Sequence, residues 1–182
     1  MENSKILNIE KIILPLVIIA FGVLLRLIPH PPNFAPIGAM ALFGGAYLSK
    51  KYALIIPLIA LFASDIVIGL HSTMPFVYLS FILIGLLGIW LKKRKNLPSV
   101  IGSAIFSSIL FFVITNFGVW LVGNLYPRTL DGLIRCFYLA LPFFRNTVIG
   151  DLIYVGLFFG SFELALRVLR DFFVIDKVRT RK

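Results

Sequence analysis

The sequence predicts an all-α integral membrane protein of about six transmembrane helices, and three observations carry that expectation. Apolar residues make up 59% of the chain and charged residues 14%, against roughly one half and one quarter in soluble domains. The apolar residues collect into runs, and crossing a hydrocarbon layer of about 30 Å takes roughly 20 helical residues. The basic residues sit between the runs, in clusters at alternate connections. A chain of 182 residues has room for one domain, so residues 1–182 are read as a single transmembrane unit.

The first span, 12–28, follows Lys5 and Lys11. A signal peptide begins in the same way, but this run is long for a signal core. The Arg26-Leu27-Ile28-Pro29-His30-Pro31-Pro32 stretch that closes it also has no small-residue cleavage site. The second span, 36–49, is short and rich in Gly38, Ala39, Ala41, Gly44, Gly45 and Ala46, a composition that suits a helix packed closely against its neighbours. Spans at 52–70, 76–91, 99–125 and 147–169 follow. Between the last two lies Gly132–Leu141, which Thr129 or Asp131 can cap and Pro142 ends. It reads as a short outer helix, re-entrant or lying in the interface, because ten residues rise only about 15 Å.

Six spans alternate sides, and Lys and Arg collect on the cytoplasmic side of membrane proteins. Lys5 and Lys11, Lys50 and Lys51, Lys92, Lys93, Arg94 and Lys95, and the tail of Arg167, Arg170, Lys177, Arg179, Arg181 and Lys182 are fourteen of the eighteen basic residues. All fall on one side. Removing the short second span would break this alternation, so the charges themselves argue for it. Both termini are therefore expected in the cytoplasm, the location is a bacterial inner membrane, and the +10 net charge faces anionic lipid rather than nucleic acid.

Ionisable groups within spans need a partner or a cavity. Arg26, His30 and Asn33 close the first span, Asp65 lies near the outer end of the third, and His71 lies just beyond it. Asn116, Trp120 and Asn124, spaced at i, i+4 and i+8, share a face of the fifth span with Thr115 close by. Arg145, Asn146 and Asp151 open the sixth, where Asp151, Tyr154 and Phe158 share a face and Gly156, Gly160 and Glu163 mark another suited to packing. Asp65 and Asp151 each lie about five residues in, so the expected depth of the polar layer is roughly 7–8 Å. Arg26, His30, Asn33, Asp65, His71, Asn116, Trp120, Asn124, Arg145, Asn146 and Asp151 form the candidate substrate-binding set. The alternatives are interfacial anchoring for Arg26, Arg128 and Trp120, ion pairs of the two aspartates with Arg26 or Arg145, and an interhelical bond for Asn116. Glu163 is expected to pair with Arg167 at i+4.

No Gly-x-Ser-x-Gly, Walker or His-Glu-x-x-His sequence occurs, so no cofactor or nucleotide site is expected and energised transport would need a partner. His30 and His71 sit in separate loops, which is weak ground for a metal site with Asp65. Cys136 stands alone and reads as a small apolar helix residue.

Four segments carry a resemblance to a bacterial membrane-protein family known only as a domain of unknown function. They are Asn33 to Tyr47, Ser64-Asp65 with Gly69, Thr115 to Trp120, and Pro142 to Thr147 with Gly150-Asp151. The resemblance runs from about residue 20 to 160 and brings no activity. The layout of first helix, outer loop, small-residue second helix, basic connection and third helix ending in Ser64-Asp65 and Gly69 is also similar to that of S components of energy-coupling factor transporters. Those are six-helix proteins that hold a vitamin or metal near the outer face and dock on a transmembrane partner and two ATPases. In place of their Ala-x-x-x-Ala docking pattern this chain has Ala20 and Leu24.

The leading expectation is thus a membrane solute-binding subunit with a small polar solute near the outer face. Its partners would be lipid and, by resemblance, a coupling subunit with ATPases. Two alternatives stand beside it: an intramembrane enzyme using Asp65, His71 and Asp151, and an assembly protein whose polar layer only joins helices.

Overall fold

Six helices and no strands make up the computed structural model, which describes residues 12–179, with side chains as far as Phe172. Lys5 and Lys11, Arg181 and Lys182, and with them both expected cytoplasmic termini, lie outside the described residues. The helices are α1 (Leu14–Leu27), α2 (Ile37–Tyr47), α3 (Ile55–Ile68), α4 (Met74–Leu91), α5 (Leu97–Val122) and α6 (Leu130–Arg179). Three of them, α4, α5 and α6 as far as Phe172, are long and apolar enough to cross a membrane, while α1, α2 and α3 are shorter apolar helices.

Contacts show that successive helices run in opposite directions. Arg26 at the end of α1 meets Asp65 at the end of α3, so these two are parallel. Phe76 at the start of α4 lies against Gly118 near the end of α5, so those two are antiparallel. On α6, Cys136, Phe144 and Asp151 face Asn116, Phe112 and Ser108 in turn, which sets α6 antiparallel to α5.

The short second helix is the centre of the bundle. Every residue of α2 from Gly38 to Ala46 is buried, as its small side chains foretold. Glycine is what lets α2 and α4 touch along their backbones. A methyl group at Gly45 would lie 2.3 Å from the Gly85 carbonyl oxygen, and one at Gly88 would lie 2.3 Å from that of Leu42. Phe43, on the opposite side of α2, stacks edge-on against Phe158, Phe159 and Phe162 of α6, at 5.5–6.2 Å between ring centres.

The separate outer helix expected at Gly132–Leu141 does not exist as such, because α6 runs unbroken from Leu130 through Pro142. Pro142 lies on the exposed face, and the carbonyl it leaves without an N–H donor belongs to the exposed Tyr138. The inward stripe of Gly132, Cys136, Ala140, Thr147, Asp151, Val155, Phe158 and Phe162 keeps helical spacing across the proline. Tertiary packing thus overrides the local stop signal, as membrane helices often allow.

The basic connections meet at one end of the bundle. Lys92 Nζ donates to the Leu48 carbonyl oxygen at the C-terminal end of α2, 2.8 Å away, and Lys95 Nζ stands 4.1 Å from the centre of the Tyr47 ring. Glu163 does not pair with Arg167 as its spacing predicts, but accepts a 2.8 Å hydrogen bond from the Tyr47 hydroxyl. Gly156 and Gly160, expected to form a packing face, have no neighbour within 4 Å of an added methyl.

Candidate functional site

At the end opposite the basic connections, the six helices enclose a cavity of about 370 Å³, the volume of roughly a dozen liquid waters. Its wall includes Arg26, His30, Asn33, His71, Asn116 and Asp151 from the predicted set, joined by Thr73, Thr115, Thr147, Phe81 and Phe111.

The connection 28–36 carries the sequence from α1 into the bundle. Phe34 N–H donates to the Pro31 carbonyl oxygen at 3.0 Å, and Asn33 has φ +61°, a left-handed conformation that asparagine adopts more readily than most residues. Two contacts fasten this turn to α6: Asn146 Nδ2 donates to the Pro32 carbonyl oxygen at 3.0 Å, and the Phe34 ring packs on Tyr154 at 5.6 Å. Asn146 therefore acts on the loop and does not line the cavity. Across the mouth, Gly69 ends α3 with φ +118°, and His71 pairs with Thr73 Oγ1 at 2.8 Å.

Arg26 and Asp65 form the one inter-helix ion pair in this region, with 2.5 Å between Nη2 and Oδ1. Arg26 Nη1 also donates to the Leu61 carbonyl oxygen at 3.1 Å and to Ser64 Oγ. The second carboxylate oxygen of Asp65 accepts from the Tyr78 hydroxyl at 2.7 Å. Asp65 is 1% exposed, and with both oxygens engaged it sits behind Arg26 instead of in the cavity wall. Of the two pairings weighed for the aspartates, the one with Arg26 is present.

Asp151 is placed differently. Its Oδ2 accepts from Ser108 Oγ at 2.6 Å, and no cationic group among the described residues lies within salt-bridge distance. The carboxylate faces the first turn of α2 so closely that a methyl on Gly38 would lie 2.5 Å from Oδ1. Asp151 is also deeper than the sequence predicts. Its partner Ser108 stands fourteen residues before the end of α5, or roughly 21 Å, because the helix carrying Asp151 begins at Leu130 and not near Thr147. The expected single layer is therefore two levels, with Asp65 near the end of α3 and Asp151 near mid-bundle.

Besides Asp65 and Asn146, three more predicted residues stand apart from the cavity. Arg145 is exposed on the outer face of α6. Trp120 Nε1 donates to the Pro127 carbonyl oxygen at 3.1 Å, bracing the connection from α5 to α6. Asn124 lies in that connection, beyond the end of α5 at Val122, so the face it was to share with Asn116 stops short of it. Asn116 Nδ2 donates back to the Phe112 carbonyl oxygen at 2.8 Å, within its own helix. Tyr78, Ser108 and Thr147 were absent from the predicted set. The spacing of Ser103, Ser107 and Ser108, all buried, is the signal that marks the inward face of α5.

Among the described residues no three His, Cys, Asp or Glu side chains are grouped as metal ligands. What the site offers chemically is a mixed wall: an arginine already held by Asp65 behind it, one deep carboxylate, two imidazoles, hydroxyls and amides, and two phenyl rings.

A family model described as a family of unknown function (DUF6580) matches residues 7–172. No curated protein and no solved structure matches the chain.

Proposed function

We propose a function for a chain that belongs to the DUF6580 family of unknown function: a membrane solute-binding protein, similar in role to the substrate-binding subunit of a transporter. In this reading all six helices cross the inner membrane, with the Lys50–Lys51 and Lys92–Lys95 connections on the cytoplasmic side and the cavity open to the outside. The observation that carries it is the convergence of Arg26, His30, Asn33, His71, Asn116 and Asp151 on one cavity of about 370 Å³. Helix packing alone would have closed that volume, since protein interiors leave few voids larger than a water, and ligand pockets run from about 300 to 1,000 Å³. The connection 28–36, fastened by Asn146 to Pro32, serves as the gate.

The saturated carboxylate of Asp65 speaks against an acid–base role for that residue. The coupling subunit and ATPases rest on the resemblance of the helix layout to S components.

Native mass spectrometry of the protein, purified in mild detergent, tests the reading. A small molecule retained by the wild type and lost from Gly38→Leu, whose side chain would crowd the Asp151 carboxylate at the cavity wall, supports solute binding. A wild type that carries and takes up nothing from a metabolite extract refutes it.

A further inference from the structure

The geometry points to a small organic cation, a protonated amine, as the class of solute this cavity takes, with the Asp151 carboxylate as its counter-ion. The inference rests on the solute-binding reading and adds the charge of the ligand. Both strong charges on the positive and negative sides of the Arg26–Asp65 pair are committed to each other. Arg26 Nη2 holds Asp65 at 2.5 Å, Nη1 is taken by Leu61 and Ser64, and the arginine side chain is only 11% exposed. An anionic solute would have to compete with a buried carboxylate for that guanidinium.

Asp151 has no such partner. It is 4% exposed, lines the cavity, and receives a single hydrogen bond, from Ser108 to Oδ2. A buried carboxylate without a cation is costly, and the cost falls when a cation arrives with its own hydrogen bonds. The first turn of α2 lies directly against Oδ1, with only the missing side chain of Gly38 between them, and a helix N-terminus favours an anion beside it.

The rest of the wall fits an organic body better than a bare metal ion. Phe81 and Phe111 present rings, packed together at 5.5 Å, while Val77, Ile37 and Val119 supply apolar surface. Aromatic faces attract ammonium groups. The hydroxyls of Thr115 and Thr147 already donate to carbonyls of their own helices, at 2.7 and 3.0 Å. They are left as acceptors, which suits an N–H donor in the ligand.

The test is calorimetric titration of the detergent-purified wild type with matched sets of an amine, an amide and a carboxylate on the same straight-chain or aromatic skeleton, and with potassium chloride alone. The expected result is an amine bound at least tenfold more tightly than its amide and carboxylate partners, the range of a charge-assisted hydrogen bond being roughly tenfold to a hundredfold. Asp151→Asn should remove that preference, bringing the amine down to the affinity of its amide partner. Preference for the carboxylate or amide, or an affinity for potassium above that for any amine, overturns the cation assignment and leaves solute binding standing. No binding of any probe by the wild type counts against both. The comparison within the wild type decides the question even if Asp151→Asn does not fold.

Discussion

Replacing Arg26 by methionine strands Asp65, a carboxylate that is 1% exposed. Only the Tyr78 hydroxyl, at 2.7 Å, then remains to it. Breaking one partner of a buried pair costs about 3–5 kcal/mol. For a chain of this size each kcal/mol moves the melting temperature by roughly 2–4 °C, so Arg26→Met should melt roughly 6–20 °C lower than wild type. Cys136 provides the assay. It is a free thiol, 2% exposed, so a thiol-reactive dye reports its exposure as detergent-solubilised protein is heated. Adding Asp65→Asn to Arg26→Met keeps a partner for Tyr78 and removes the stranded charge, so the double variant should lose only about 1–2 kcal/mol. A single variant within about 0.5 kcal/mol of wild type, or a double variant no better than the single, would refute a desolvated ion pair at this position.

Gly88→Ala forces a methyl to within 2.3 Å of the Leu42 carbonyl oxygen and 2.9 Å of the Gly45 Cα. Neither is a side chain that can turn away, so a loss of about 1–3 kcal/mol is expected in the same melting assay, whereas Gly156→Ala, which meets nothing within 4 Å, should gain about 0.5–1 kcal/mol. Equal effects at the two glycines would contradict the close contact of α2 and α4. Burial pushes the Lys95 ammonium below its ordinary value of 10.5, with Lys92 acting in the same direction and Glu163 against it. Because the unfolded chain then holds more protons in that window, stability should rise with pH toward 10.5 through this group. Lys95→Met should flatten that rise in pH-dependent melting curves, and an unchanged slope would show that Lys95 does not contribute.

Much of this architecture was written in side-chain size and charge. The run of small residues from Gly38 to Ala46 announced a helix enclosed by others, and α2 is buried along that whole length. The cost of a lone charge in an apolar span made a pairing of the aspartates with Arg26 or Arg145 one of the alternatives, and Arg26 with Asp65 is the one present. What escaped has specific causes. Pro142 carries the usual mark of a helix end, yet the inward face of α6 continues past it. That single merger moved Asp151 from the rim to mid-bundle, because its depth had been counted from the wrong helix start. Asn124 was assigned to a face that ends at Val122. Ser108 and Tyr78 escaped because a hydroxyl in an apolar helix most often bonds to its own backbone, as Ser80 does to Phe76, and nothing local distinguishes one that reaches across.

The shortness of α2 has an electrical consequence. Eleven residues rise only about 16 Å, roughly half of a hydrocarbon layer of about 30 Å. With the chain placed across a membrane, water entering by the connection 28–36 would bring the outside potential down to the level of Gly38 and Asp151. The membrane voltage would then fall mainly across the remaining half of the bundle. A charge worth about 2.3 kcal/mol per 100 mV over a full crossing would feel little of that between the outside and Asp151, and nearly all of it over the remaining half. The membrane voltage would therefore act little on the arrival of a charged solute at Asp151 and mainly on any passage beyond it.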